Sequence, residues 1–182
     1  MWKYYNHSFI ADVPPHEDIN ISQNPINWKN NKNALLACWT TDFDCACYKD
    51  FWYVIKDTPF DLQEVKAKRR YEIKKSLNNF DVRLVNPKDH INELFSVQEQ
   101  AFSAYPKKYR PKSNIDQFAK DIVTRGEGGW FVFAAFFKQN NELCGYSIVN
   151  VNDRVIEFAV QKTKPQYEKY QINAGLVFGI LQ

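Results

Sequence analysis

Histidine is scarce in this chain, and the three present, His7, His16 and His90, have no partner at metal-ligand spacing. The cysteines are no better placed. Cys45-Ala46-Cys47 leaves one residue between thiols, where a zinc knuckle needs about two to four, and Cys38 and Cys144 stand apart, so reduced structural thiols are expected. No Ser-His-Asp order, phosphate loop or metal cluster is legible, so hydrolase, kinase and metalloenzyme chemistry have no residues to rest on. No stretch reaches the roughly 18 apolar residues of a membrane span, and Met1-Trp2-Lys3-Tyr4-Tyr5-Asn6 lacks the apolar region of a signal peptide. A net charge of +3 is too small to imply nucleic acid by itself. The expectation is a soluble, cytoplasmic protein with no metal.

What is present is apolar and aromatic: 45% hydrophobic and 16% aromatic residues in 182 permit a sizeable core and exclude disorder. Residues 1–33 are rich in Asn, Pro and aromatics without a clear period, and Pro14-Pro15 and Asn24-Pro25 break them into short pieces. Residues 33–39 and 51–56 read as strands, and the region 1–57 as an N-terminal subdomain. Asp61-Leu62-Gln63-Glu64 fits a capping box and predicts a helix to about Asn78, with Leu62, Val65, Ile73 and Leu77 as its apolar face. Lys66, Lys68, Arg69, Arg70, Lys74 and Lys75 make this helix basic. A solvated surface explains such a run. Arg69, however, lies on the apolar stripe, so it must turn outward or meet a buried carboxylate or an anionic ligand.

Residues 81–85 alternate as a strand, and Asn86-Pro87 predicts a helix start. Ile91, Leu94, Phe95, Gln98, Ala101, Phe102 and Tyr105 then recur at helical spacing, with Gln98 as the polar break. Ser113 to Asp116 resembles a second capping box, followed by Ile115, Phe118, Ala119 and Ile122, and Arg125-Gly126 closes that helix. Residues 130–137 are apolar throughout, as in a strand covered on both faces. Residues 143–151 and 155–160 complete an antiparallel meander that runs into a helix over 165–182. A strand ending at a helix start presents free N–H groups and favours anions.

The order strand, two helices, three antiparallel strands and a helix resembles the first half of the GNAT acyltransferase fold. Lys68-Arg69-Arg70-Tyr71-Glu72-Ile73-Lys74-Lys75-Ser76-Leu77, after Phe51-Trp52-Tyr53-Val54-Ile55-Lys56-Asp57, is similar to a helix of FemAB-type members, and residues 165–174 resemble the segment leading into their donor-side helix. The resemblance covers residues 50–182. It implies a mixed, largely antiparallel α/β (α+β) sheet flanked by helices over 58–182, lacking its last strands because the chain stops inside an apolar helix. It also implies transfer of an acetyl or aminoacyl group, from acetyl-CoA or aminoacyl-tRNA, to an amine such as an envelope sugar or peptide. Residues 166–174 contain no glycine, unlike the Q/R-x-x-G-x-G/A loop that holds the coenzyme A pyrophosphate in GNAT enzymes.

Glu157 is the charged residue inside 155–160 and the candidate base; a solvent-facing or Arg-paired Glu157 is the alternative. Tyr146, Tyr167 and Tyr170 are candidate proton donors to a leaving group, or buried tyrosines with satisfied hydroxyls. The resemblance places the donor near Val160, Gln161, Tyr167, Gln171, Asn173 and Ala174, while the basic run itself offers Arg69 and Arg70 to an anionic ligand or a membrane surface. A second reading keeps the fold without the chemistry: a binding module whose basic helix grips an anionic partner.

Overall fold

A computed structural model describes residues 2–14, 16–43, 45–46, 56–125, 127–152 and 155–182. The chain divides into two compact units, Met1–Asp57 and Thr58–Gln182. In the first, strands β1 (Trp2–Tyr5) and β2 (Ser8–Ala11) form an antiparallel hairpin, and β3 (Leu36–Cys38) joins β2 in parallel. The hairpin turns on Asn6 and His7, at φ 45° and 61°, the positive-φ pair that a tight two-residue turn requires. Buried Phe9 meets the ring edge of Trp28 at 5.6 Å, and the Trp2 indole donates to the Asn24 carbonyl at 3.0 Å. The strand expected over 33–39 shrinks to β3, and residues 51–55 of the other expected strand lie outside the described residues.

The second unit carries a four-stranded antiparallel sheet in the order β4-β5-β6-β7: Phe80–Val85, Trp130–Phe137, Glu142–Asn152 and Val155–Thr163. Helices α2 (Ile91–Ser103) and α3 (Ile115–Arg125) cover one face, placing Leu94, Val97, Phe118 and Ile122 on Val132, Ala134, Phe136, Tyr146 and Ile148. On the other face α4 (Ile172–Ile180) sets Ile172 and Leu176 against Phe80, Ala135, Phe137 and Cys144, and α1 (Ala67–Asn79) packs on α4. Each fully buried Leu or Ile contributes about 1.5–3 kcal/mol. The expected mixed, largely antiparallel sheet flanked by helices is the observed architecture.

Element starts differ from expectation, each for a local reason. The Asp61 carboxylate accepts from the Gln63 amide at 2.8 Å and makes a separate turn, so α1 begins only at Ala67. Asn86 caps a short 3-10 turn over Pro87–Asp89, and α2 starts after it. For α3 the cap is Asn114 rather than Ser113: its carboxamide oxygen accepts from the Gln117 amide at 3.0 Å. The helix expected over 165–182 is two pieces, a 3-10 turn (Pro165–Tyr170) and α4, separated by Gln171 at φ 64°.

One irregularity bears on function. Ile148 faces Val160 across β6 and β7, yet Val149 faces Phe158, so Ala159 is an extra residue on β7. Side chains alternate faces along a strand, so this bulge resets the alternation. Glu157, opposite Asn150, falls on the same face as Val160, opposite Ile148. Without the bulge those two side chains would point to opposite faces.

Candidate functional site

On the α2/α3 face the helices leave a cavity of about 240 Å³ over β6 and β7. Tyr146, Ile148 and Val160 form its floor, Gln98 of α2 one wall, and residues 112–114 with Gln117, Asp121 and Arg125 of α3 the other. Tyr146 is 1% exposed and donates to the Gln98 carboxamide oxygen at 3.4 Å, a long bond that a better acceptor can displace. Burial pushes the Tyr146 hydroxyl well above its usual range, against a smaller opposing influence of the Arg125 charge. The phenol is therefore a neutral hydrogen-bond donor at all ordinary pH. Glu157 lies on the same face two β6 positions beyond Ile148, about 7 Å along the sheet. It is half-buried, and its carboxylate makes no hydrogen bond or ion pair with a described residue.

The remaining candidates fall on the opposite face. Ser147, wholly buried, donates to the Val160 carbonyl at 3.1 Å and to the Gln161 side-chain oxygen at 3.4 Å; Gln161 in turn donates to the Asn173 side-chain oxygen at 2.7 Å. That chain of bonds fixes β7 to the first turn of α4, beside Gln171 and Ala174. Tyr170 packs its ring against Phe80 and Phe137 at 6.3 and 5.4 Å. The Tyr167 hydroxyl donates to Glu142 at 2.6 Å, and Lys164, 6% exposed, donates to the same carboxylate at 2.7 Å. Lys164 and Tyr167 hold Glu142 below its ordinary value, while burial and that carboxylate push the Tyr167 hydroxyl up. The structure thus sets Tyr146 and Val160 in the cavity, leaves Glu157 farther along the same face and outside the cavity lining, and sets Tyr167, Tyr170, Gln161, Gln171, Asn173 and Ala174 behind the sheet.

The basic helix resolves differently. Arg69 points outward, 68% exposed, and its guanidinium reaches Glu72 at 2.6 Å, a carboxylate that is itself only 10% exposed. Arg70 donates to the Gln63 and Val65 carbonyls, both at 2.7 Å, closing the turn before α1. Both guanidinium groups therefore have internal acceptors. Sequence reading missed Glu72, Glu142, Lys164 and Ser147 as partners. Gln98 was visible as the polar break in the stripe of α2, and Arg125 only as a helix end.

A coenzyme A donor requires a cradle for its diphosphate, and much of residues 164–175 is already bonded or filled. The amides of Gln171, Ala174 and Gly175 bond to the Glu168 and Gln171 carbonyls, Lys164 is held by Glu142, and Tyr167 and Tyr170 fill the space with rings. Nor do the small residues offer room. A Cβ on Gly175 would lie 2.1 Å from Ser76 Oγ, and one on Gly179 2.6 Å from Val82 Cγ1, so both glycines serve the packing of α4 on α1 and β4. Among the described residues no three His, Cys, Asp or Glu side chains gather as a metal group, and no helix is long and apolar enough to cross a membrane.

No family model matches this sequence, and no curated protein does. Among solved structures, the chain is similar to a conserved protein of unknown function from Staphylococcus epidermidis (TM-score 0.45, 15% identity, 62% of this chain and 42% of that one). It is also similar to the PaiA N-acetyltransferase of Thermoplasma acidophilum, solved with coenzyme A (0.43, 14%, 56% and 69%). A third is an acetyltransferase of Trypanosoma brucei (0.42, 13%, 56% and 72%). The chain spans less than half of the Staphylococcus protein. Likeness this low does not carry the fold or activity of those proteins to this chain.

Proposed function

We propose that the second unit is an acyltransferase that moves an acyl group from an activated ester to an amine held in the α2/α3 cavity. The observation that carries this reading is the bulge at Ala159. It turns Glu157 onto the face of Tyr146 and Val160, and interrupts the β6/β7 ladder at Ala159, next to the cavity-lining Val160. Acyl transfer needs a base, a donor to the departing atom and a surface that holds both reactants. Glu157 takes a proton from the amine as its nitrogen attacks the acyl carbonyl. The carbon–nitrogen bond forms, the bond to the sulfur or oxygen leaving group breaks, and the proton passes to that leaving group. Tyr146, kept neutral by burial, releases Gln98 and donates a hydrogen bond to the departing atom. Release of an amide and a protonated leaving group balances the step.

A glycine cradle for coenzyme A is lacking, so an aminoacyl ester of tRNA and acetyl-CoA both stand as donors to be tried. The FemAB-like branch and an envelope sugar or peptide acceptor rest on the residue patterns of 51–57, 68–77 and 165–174. The rival reading, a silent module with a basic helix, loses Arg69 and Arg70 to internal acceptors and keeps only the lysines of α1. The test is transfer of isotope-labelled acyl groups from each donor to a panel of amines. Glu157→Gln should lower kcat about 10²–10⁴-fold with its circular-dichroism spectrum unchanged; undiminished turnover removes Glu157 from the reaction.

A further inference from the structure

Arg125 raises a question that the acyl-transfer reading does not answer. It is half-buried at the end of α3, lines the cavity, and forms no ion pair with a carboxylate among the described residues. Its guanidinium carbon stands over the Trp130 ring, 5.6 Å from the ring centre. A cation–π contact uses none of the five N–H donors of the group, which are left to other acceptors. Asp121, one helical turn earlier and on the same wall, does not neutralise it; that carboxylate accepts instead from the Gln117 carboxamide at 2.7 Å. A guanidinium that lines a cleft without a carboxylate partner is available to an anion. The planar fork matches a carboxylate in two parallel hydrogen bonds. The cavity, about 240 Å³, falls below the roughly 300–1,000 Å³ of drug-sized sites and suits a molecule of amino-acid dimensions.

We propose that the cavity binds a free amino acid, an amine bearing a carboxylate, with Arg125 holding the carboxylate and Asp121 facing the cationic end. This deepens the acyltransferase reading by naming the acceptor class of the same cavity. Binding is tested without chemistry, on the full chain, by titrating the free L-amino acids, their carboxamides and phosphoethanolamine in a thermal-shift assay and by NMR. The expected result is saturable binding of at least one free amino acid, weaker by about tenfold or more for its carboxamide, which lacks the anion. Arg125→Gln should weaken the free acid by about tenfold or more and leave the carboxamide unchanged; Arg125→Lys should restore only part, because an ammonium cannot make the paired bonds. Carboxamides binding as well as acids, phosphoethanolamine displacing every amino acid, or no saturable binding by any probe would overturn the proposal. The two readings fail separately. Amino-acid binding without transfer from any donor refutes the enzyme and keeps the carboxylate site, whereas Arg125-independent transfer to amines without a carboxylate does the reverse.

Discussion

Replacing Gly175 with alanine probes the contact that sets α4 on α1, and the structure gives the size of the effect. The added Cβ would fall 2.1 Å from Ser76 Oγ and 2.9 Å from Ser76 Cβ. The hydroxyl can rotate away. The Cβ cannot, so the two helices must part by several tenths of an ångström and loosen Ile172 and Leu176, both at 0% exposure. Overpacking of this kind costs about 1–3 kcal/mol, and the better helix propensity of alanine returns about 0.8–1.0 kcal/mol, which leaves a net loss of roughly 0–2 kcal/mol. Ser76 sharpens the test. Its hydroxyl is wholly buried and has no hydrogen-bond partner among the described residues. Ser76→Ala should therefore stabilise, by up to about 1–2 kcal/mol, since it removes an unsatisfied buried group. Ser76→Gly removes the obstructing Cβ, so Gly175→Ala should cost about 1 kcal/mol less in that background than in the wild type. Urea unfolding followed by far-ultraviolet circular dichroism measures all four corners of the cycle. Gly175→Ala costing the same with serine or glycine at 76 would refute this account of the crossing.

The remaining expectations concern charge, thiols and the turn before β5. Glu142 has its pKa lowered by Lys164 and Tyr167, so its contribution to stability is complete above the ordinary value of 4.5 and fades as pH falls through the lower native value. Glu142→Ala should destabilise by about 2–4 kcal/mol at neutral pH, because Lys164 is left buried without a counter-charge, and should flatten the acid limb; an unchanged acid limb contradicts the assignment. Arg69→Ala should cost more than Lys68→Ala in urea unfolding, since Glu72 is the buried partner; equal costs would make the pair incidental. Native alkylation should mark exposed Cys38 and spare Cys144, whose thiol is buried and pushed up by that burial, as peptide mass spectrometry would show. Gly129→Ala should destabilise by more than 1 kcal/mol or so, with φ at 88° and the Val151 carbonyl 2.7 Å from the new Cβ; a neutral result would mean the turn can open.

The sheet of the second unit was legible because periodicity changed from two to three-four at each boundary. Residues 130–137 carry no polar side chain, and α2 and α3 show their stripes openly. The starts of α1 and α4 were not legible, because Asp61 and Pro165 are equally at home in an isolated turn, and nothing local says whether the helix continues. The hairpin at Asn6 and His7 was missed since its strands are only four residues each and expose polar and aromatic side chains alike. Of the candidate site, Glu157 and Tyr146 could be named by residue type. That they share a face could not, because it depends on a bulge at Ala159 that alternation does not reveal. The glycines of α4 misled in the other direction: room for a ligand and room for Ser76 or Val82 look the same in a sequence.

The central claim is that an acyl donor meets this chain at the β7 bulge, on the face that holds Tyr146 and Glu157. Hydrogen–deuterium exchange with and without saturating acetyl-CoA, and in parallel with an aminoacyl-tRNA, measures this directly. The account predicts that one donor slows exchange at Ala159, Val160 and Gln161 and that protection extends to Tyr146. Saturation that leaves the bulge unchanged, with protection confined to the lysines of α1 or lacking altogether, would contradict it.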